Sequence, residues 1–180
     1  MYKRQAVYSA STSIVTNKAN QTSITVPSGV TFSYGSVSGI DLTTWPVGGG
    51  SGTGTLSYTT ASSGCTISVS KVLTTANNAG STCTVTVTKA GGTNYYDSAA
   101  TVSVAITKAN QAAISVTSLA VTFGSNLTLT SSGGTSNGAV TFSKFSGPCY
   151  LTGGVLTPTG AGNCVVTATM AGGTNYTDVT

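Results

Sequence analysis

The chain has no histidine and no glutamate, and its only acidic residues are Asp41, Asp97 and Asp178. Without histidine there is no Ser-His-Asp triad and no ordinary general base near neutral pH. No two aspartates lie close in sequence. Asp97 and Asp178 hold the same place in Thr-Asn-Tyr-x-Asp, so a paired-carboxylate glycosidase centre is not expected within one folding unit. A zinc site is not expected either, because histidine and Cys-x-x-Cys spacing are both missing. One aspartate beside Asn94 or Asn175 reads as a turn, where Asn and Gly tolerate left-handed backbone, rather than as a calcium site. Charged residues are only 6% of the chain and the net charge is +4. No basic cluster is present to track a phosphate backbone, so nucleic acid is not an expected partner. No run of 18 apolar residues occurs, so no membrane span is expected.

What is abundant is Thr, Ser, Gly, Ala and Val in alternation. Residues 81–95 read Ser-Thr-Cys-Thr-Val-Thr-Val-Thr-Lys-Ala-Gly-Gly-Thr-Asn-Tyr, and residues 162–176 read Gly-Asn-Cys-Val-Val-Thr-Ala-Thr-Met-Ala-Gly-Gly-Thr-Asn-Tyr. In the first stretch Cys83, Val85 and Val87 share one face, with threonines on the other. In the second, Cys164, Val166, Ala168 and Met170 share a face. Period-two alternation marks a half-buried strand, and it aims each cysteine at a core.

The recurrence extends further. Lys18-Ala-Asn-Gln returns as Lys108-Ala-Asn-Gln, and Ala90-Gly-Gly-Thr-Asn-Tyr returns as Ala171-Gly-Gly-Thr-Asn-Tyr. This defines repeat 1, residues 18–107, and repeat 2, residues 108–180. Phe32 to Leu56 spans 24 positions against 17 from Phe123 to Val140, which places an insertion in repeat 1 around Ile40–Pro46. Strand candidates in repeat 1 centre on Ile24, Phe32, Ile40/Leu42, Leu56/Tyr58, Cys65/Ile67, Val72-Leu73, Cys83 and Val102/Val104/Ile106. In repeat 2 they centre on Ile114, Val121/Phe123, Leu127/Leu129, Val140/Phe142, Cys149/Leu151, Val155-Leu156 and Cys164. About seven short strands per repeat, with turn signals every 8–12 residues, predict all-β sandwiches. A repeat of this size can bury a small core of its own. Thr107 to Gln111 holds neither Gly nor Pro, so the connection between repeats is short and not a flexible linker.

Both ends are expected to be irregular. Met1–Gln5 resemble a translated sequencing adapter, GTG TAT AAG AGA CAG with GTG as the start, and so fall outside the fold argument. Residues 6–17 precede Lys18 as residues 96–107 precede Lys108, and are expected to be the orphan last strand of a preceding repeat that packs poorly. Repeat 2 is expected to stop before its own last strand, leaving an unpaired sheet edge. The chain therefore reads as a fragment of something longer.

Taken together, Lys-Ala-Asn-Gln, a Gly-rich turn, an alternating strand, Ser-Gly-Cys or Gly-Pro-Cys, Val-Leu-Thr, Gly-x-Cys, and Lys/Met-Ala-Gly-Gly-Thr-Asn-Tyr resemble bacterial immunoglobulin-like repeats over about residues 18–180. The resemblance implies two tandem immunoglobulin-like β-sandwiches, the second truncated. It implies placement at the cell surface or in the secreted fraction of a bacterium, and a spacer or adhesin role. It carries over no catalytic residue and no cofactor. The implied partners are neighbouring repeats of the same chain and a host or surface glycan or protein.

The four cysteines allow three pairings, and the duplication selects Cys65–Cys83 and Cys149–Cys164. By chain entropy, loops of this length contribute about 3 kcal/mol each, and such bonds require an oxidising compartment. Gly48–Gly54 lacks the Gly-Lys-Ser/Thr ending of a phosphate loop and reads as a strand-to-strand turn. Trp45, the only tryptophan, can either stack on a sugar or a partner as a binding module, or cover the edge of its own sandwich. Tyr95 and Tyr176 stand in both repeats, which suits a turn or a contact between repeats. An accessory domain of a secreted enzyme or of a phage structural protein is the remaining alternative.

Overall fold

A computed structural model describes residues 11–180. Residues 1–5, and residues 6–10 of the expected orphan strand, lie outside the described residues. Repeat 1 runs through β1 (Ile24–Thr25), β2 (Thr31–Ser33), β3 (Ile40–Asp41), β4 (Gly48–Gly49), β5 (Leu56–Thr60), β6 (Cys65–Ile67), β7 (Val72–Thr75), β8 (Thr82–Lys89) and β9 (Ser98–Thr107). Repeat 2 runs through β10 (Ile114–Val116), β11 (Leu127–Thr128), β12 (Ser131–Gly133), β13 (Val140–Ser146), β14 (Cys149–Thr152), β15 (Val155–Pro158) and β16 (Val165–Met170). The only helical element among the described residues is a 3-10 turn, Leu42–Thr44. The protein is essentially all-β, with several sheets in an arrangement consistent with a β-sandwich.

In repeat 1 a four-stranded sheet, β2-β9-β8-β5, faces a three-stranded sheet, β3-β7-β6. The inward faces are those set by alternation. Strand β8 buries Cys83, Val85 and Val87, and β9 buries Val102, Val104 and Ile106. These pair across the ladder as Cys83↔Val104 and Val85↔Val102, so one row of side chains closes the core. Strand β2 lies parallel to β9, with Phe32 opposite Ile106.

Repeat 2 repeats part of this plan. Strands β11-β15-β14 match β3-β7-β6, β13-β16 matches β5-β8, and β10-β12 matches β1-β4. Two members are absent among the described residues: a strand like β2 and a strand like β9. The expected strand at Val121/Phe123 does not form; residues 119–122 carry no regular structure. Phe32 is 3% exposed, whereas its counterpart Phe123 is 65% exposed. The reason is that a short extended segment holds only when a neighbouring strand satisfies it, and β2's neighbour is β9. Eleven buried residues form the core of repeat 1, against three, Leu129, Cys149 and Leu156, in repeat 2.

The insertion is also placed differently from the sequence expectation. Ile40 pairs with Leu73 as Leu127 pairs with Leu156, so β3 and β11 correspond and Ile40–Leu42 is not extra. The extra residues fall in two places. Phe32 to Ile40 covers eight positions where Phe123 to Leu127 covers four, and Leu42 to Gly49 covers seven where Leu129 to Gly133 covers four. The first group forms the loop after β2. The second forms the 3-10 turn and Trp45. Hydrophobic spacing marks where strands lie but not which side of a strand a loop has grown on.

Ser11–Asn17 form no strand, and Ile14 and Val15 are 85% and 81% exposed.

Candidate functional site

The recurring motifs meet in space. Ala19 forms a parallel bridge with Tyr95, and Ala109 with Tyr176. In each repeat the Lys-Ala-Asn-Gln segment is thus one half of a clasp and the Ala-Gly-Gly-Thr-Asn-Tyr turn is the other. Lys18 Nζ donates to the Gly92 carbonyl at 2.8 Å, and Lys108 Nζ to the Gly173 carbonyl at 2.7 Å. Gln21 Nε2 donates to the carbonyls of Lys89 and Tyr96, at 2.9 and 2.8 Å. Its Oε1 accepts from the Gly52 N–H at 2.8 Å. Gln111 donates to Met170 and Thr177 and accepts from the backbone of Thr135 and Ser136. A glutamine is suited to this because its amide offers two donors and an acceptor to backbone groups that no strand pairs.

The aspartates serve the same turn. Asp97 Oδ1 accepts from the Gly91 N–H at 2.9 Å, and Asp178 Oδ1 from the Gly172 N–H at 2.8 Å. A Cβ at either glycine would strike a backbone carbonyl of the turn, that of Tyr95 or Tyr176. Asp41 accepts from the N–H and the hydroxyl of Thr43. Those two hydrogen bonds, the hydroxyl's first, hold its carboxyl below the usual carboxylate range. All three acids therefore bind their own backbone neighbourhood. Among the described residues no three His, Cys, Asp or Glu side chains gather to hold a metal ion.

Trp45 follows the 3-10 turn and is half-buried against the core of repeat 1. Its ring meets Tyr58 edge to face at 6.4 Å, and Lys71 Nζ lies 5.8 Å from the centre of the Tyr58 ring. Burial, and secondarily the Asp41 charge, push the Tyr58 phenol up. Trp45 is thus placed on its own sandwich, not held out toward solvent.

Cys65 is bonded to Cys83, and Cys149 to Cys164, each pair with Cα atoms 6.0 Å apart. Each bond ties the three-stranded sheet to the strand that carries the second cysteine or to its edge. Two disulfides indicate a non-cytoplasmic environment. No helix among the described residues is long and apolar enough to cross a membrane.

A second set of contacts joins the repeats. Asn175 Oδ1 accepts from the Ala79 N–H at 3.0 Å, and Asn175 Nδ2 donates to Asn78 Oδ1 at 3.0 Å. The rings of Tyr34 and Tyr176 meet edge to face at 5.6 Å. Beside them lies an uncharged cleft of ≈ 430 Å³, bordered by Tyr34, Ser136, Asn137 and Asn175. Sequence reasoning pointed to Tyr176 as a contact between repeats but missed Tyr34 and Asn78. The available signal was that Tyr34 stands where repeat 2 has Ser125. No protein-family model matches the chain, and no curated protein matches it.

Proposed function

We propose that the chain is two tandem immunoglobulin-like β-sandwiches acting as a non-catalytic spacer in a bacterial cell-surface or secreted, adhesin-like protein. The observation that carries this reading is the joint. Strand β9 ends at Thr107, and Ala109 already donates to the Asn175 carbonyl at 2.9 Å. Only Lys108 separates the two. The Asn78–Asn175 and Tyr34–Tyr176 contacts then resist bending from the side. A joint of this kind suits a part whose work is length and stiffness. The disulfides fit an extracellular setting, and the engagement of every aspartate in backbone capping fits a part without chemistry of its own. The partners are then neighbouring repeats, with the surface glycan or protein contacted elsewhere in the parent protein. A binding module built on Trp45 is the weaker reading, since the indole is packed on Tyr58.

Small-angle X-ray scattering of the intact chain tests the spacer reading. Two sandwiches end to end, with strands of about nine residues rising ~3.3 Å each, give a maximum dimension of at least about 60 Å. Tyr34→Ala combined with Asn175→Ala is expected to broaden the distance distribution without altering either fold. A globular particle with no such length overturns the reading. Sequence flanking the coding region adds context: a signal and a surface anchor agree with a stalk, and a catalytic or phage-tail neighbour points to an accessory domain.

A further inference from the structure

Repeat 2 lacks both side chains that cover the Tyr58 ring in repeat 1. Tyr58 pairs with Val87 as Phe142 pairs with Ala168, so the two rings hold equivalent places. In repeat 1 the indole of Trp45 meets Tyr58 edge to face at 6.4 Å, and Lys71 Nζ lies 5.8 Å from its centre. Gly154 stands in place of Lys71: the Leu42 N–H donates to the Lys71 carbonyl, and the Leu129 N–H to the Gly154 carbonyl. Trp45 has no counterpart, because only Thr130, Ser131 and Ser132 separate Leu129 from Gly133. What remains is an open groove of ≈ 390 Å³, lined by Thr128, Leu129, Val140, Phe142, Gly153 and Gly154. It lies between β13 and the β11-β15 pair. Strand β13 has β16 on one side only, as β5, the outermost strand of its sheet, has β8. The groove is therefore on the flank that a β9-type strand does not reach.

We propose that this groove binds a small, uncharged aromatic molecule of the indole class. The occupant is identified by comparison within the chain: repeat 1 seats an indole on the equivalent ring. In repeat 2 the Phe142 ring forms the floor, with Leu129 and Val140 beside it. Aromatic rings favour such edge-to-face contact over the contact of an aliphatic group of equal area. No charged side chain among the described residues lines the groove, since Thr128 replaces Asp41 and Gly154 replaces Lys71. A charged ligand would lose its water there without gaining a partner. A sugar is poorly served as well, because its hydroxyls need several converging polar groups. Thr141 also borders the groove, but its hydroxyl donates to the Thr169 carbonyl at 3.4 Å. A mostly apolar cleft with one or two polar groups at its border suits a neutral aryl ring. Gly154 keeps the groove open. It has φ +81°, and Lys71 has φ +63°, the one non-glycine with positive φ among the described residues. The backbone thus turns alike in both repeats, and only the side chain differs. This inference goes beyond the spacer reading and does not rest on it.

Titration of the intact chain with indole, followed by amide NMR, is the test. The expected result is saturable shifts confined to Thr128, Leu129, Thr141, Phe142, Gly153 and Gly154, with the equivalent amides of repeat 1 unmoved. Gly154→Lys restores the cover that repeat 1 carries, on a backbone that already accepts it there, and is expected to abolish those shifts. Phe142→Leu keeps an apolar floor without the aryl ring and is expected to weaken binding roughly two- to tenfold, the worth of an aromatic pair. The amide signals of repeat 2 away from the groove report in each variant that the fold is kept. A wild-type chain without saturable shifts overturns the proposal, as does indole binding that is unchanged in both variants. Cyclohexanol that binds as well as indole, or a methyl glucoside that binds where indole does not, overturns the aromatic assignment.

Discussion

Repeats 1 and 2 share a clasp, a disulfide and a three-stranded sheet, yet one has a closed core and the other does not. The difference is traceable to β9. That strand places Val102, Val104 and Ile106 against β8 and gives β2 a parallel neighbour. Where no described strand does this, in repeat 2, Phe123 is exposed and the core shrinks to three residues. The lesson is about order of dependence. The clasp joins segments 65 to 74 positions apart and the cystines join residues 18 and 15 positions apart, and both are made in each repeat. The β2-type strand depends on a neighbour and is lost with it.

Equivalent leucines break this comparison most sharply. Leu42 is fully buried in repeat 1, and Leu129 borders the open groove of repeat 2. Leu42→Ala is expected to cost about 4 kcal/mol, and Leu129→Ala about 2 kcal/mol, within the range for buried leucines, because the cavity at Leu129 opens onto solvent already. Hydrogen exchange resolved by repeat separates the two; equal losses would mean that the cores are equally closed. Removing a disulfide comes next. Cys65→Ser with Cys83→Ser, and Cys149→Ser with Cys164→Ser, each remove about 3 kcal/mol by chain entropy. Repeat 1 is expected to remain folded after this loss and repeat 2 to become protease-sensitive. Limited proteolysis reads the outcome, and a protected repeat 2 would show that its small core suffices.

The smallest effect belongs to Asp41, which repeat 2 replaces with Thr128. Its folded-state pKa lies below the ordinary 3.8 because Thr43 donates to the charged form. The stabilisation is therefore present above the unfolded-state pKa and is lost as pH falls through the lower folded value. Thermal melts of Asp41→Asn and wild type are expected to differ slightly near neutrality and to converge in acid. Any such change should be confined to repeat 1.

The alternating strands were legible in the sequence because the side-chain period of a strand is a local property. Cys83, Val85 and Val87 face the core as their spacing requires. The cystine pairing followed from duplication. Val121/Phe123 alternates equally well and forms no strand, because its stability lies in a partner that local pattern does not contain. Gln21 and Gln111 were visible as repeated letters, but not as the residues that satisfy the backbone of two loops at once. That role depends on chain segments about 70 positions apart coming together. Trp45 was legible as two alternatives, a ligand contact or a cover for its own sandwich, and the contact with Tyr58, edge to face at 6.4 Å, could not be read from the sequence.

The parallel pairing of β2 with β9 also governs how repeat 1 carries load. The chain enters at Lys18 and leaves at Thr107. A pull on both ends drags these neighbouring strands in opposite directions along their length. The bonds from Ala105 to Val30 and from Tyr34 to Thr107 lie across that direction, as does the bridge at Ala19. They are stretched together and cannot be opened one after another like a zip. Tension along the chain therefore meets repeat 1 where its hydrogen bonds act in concert.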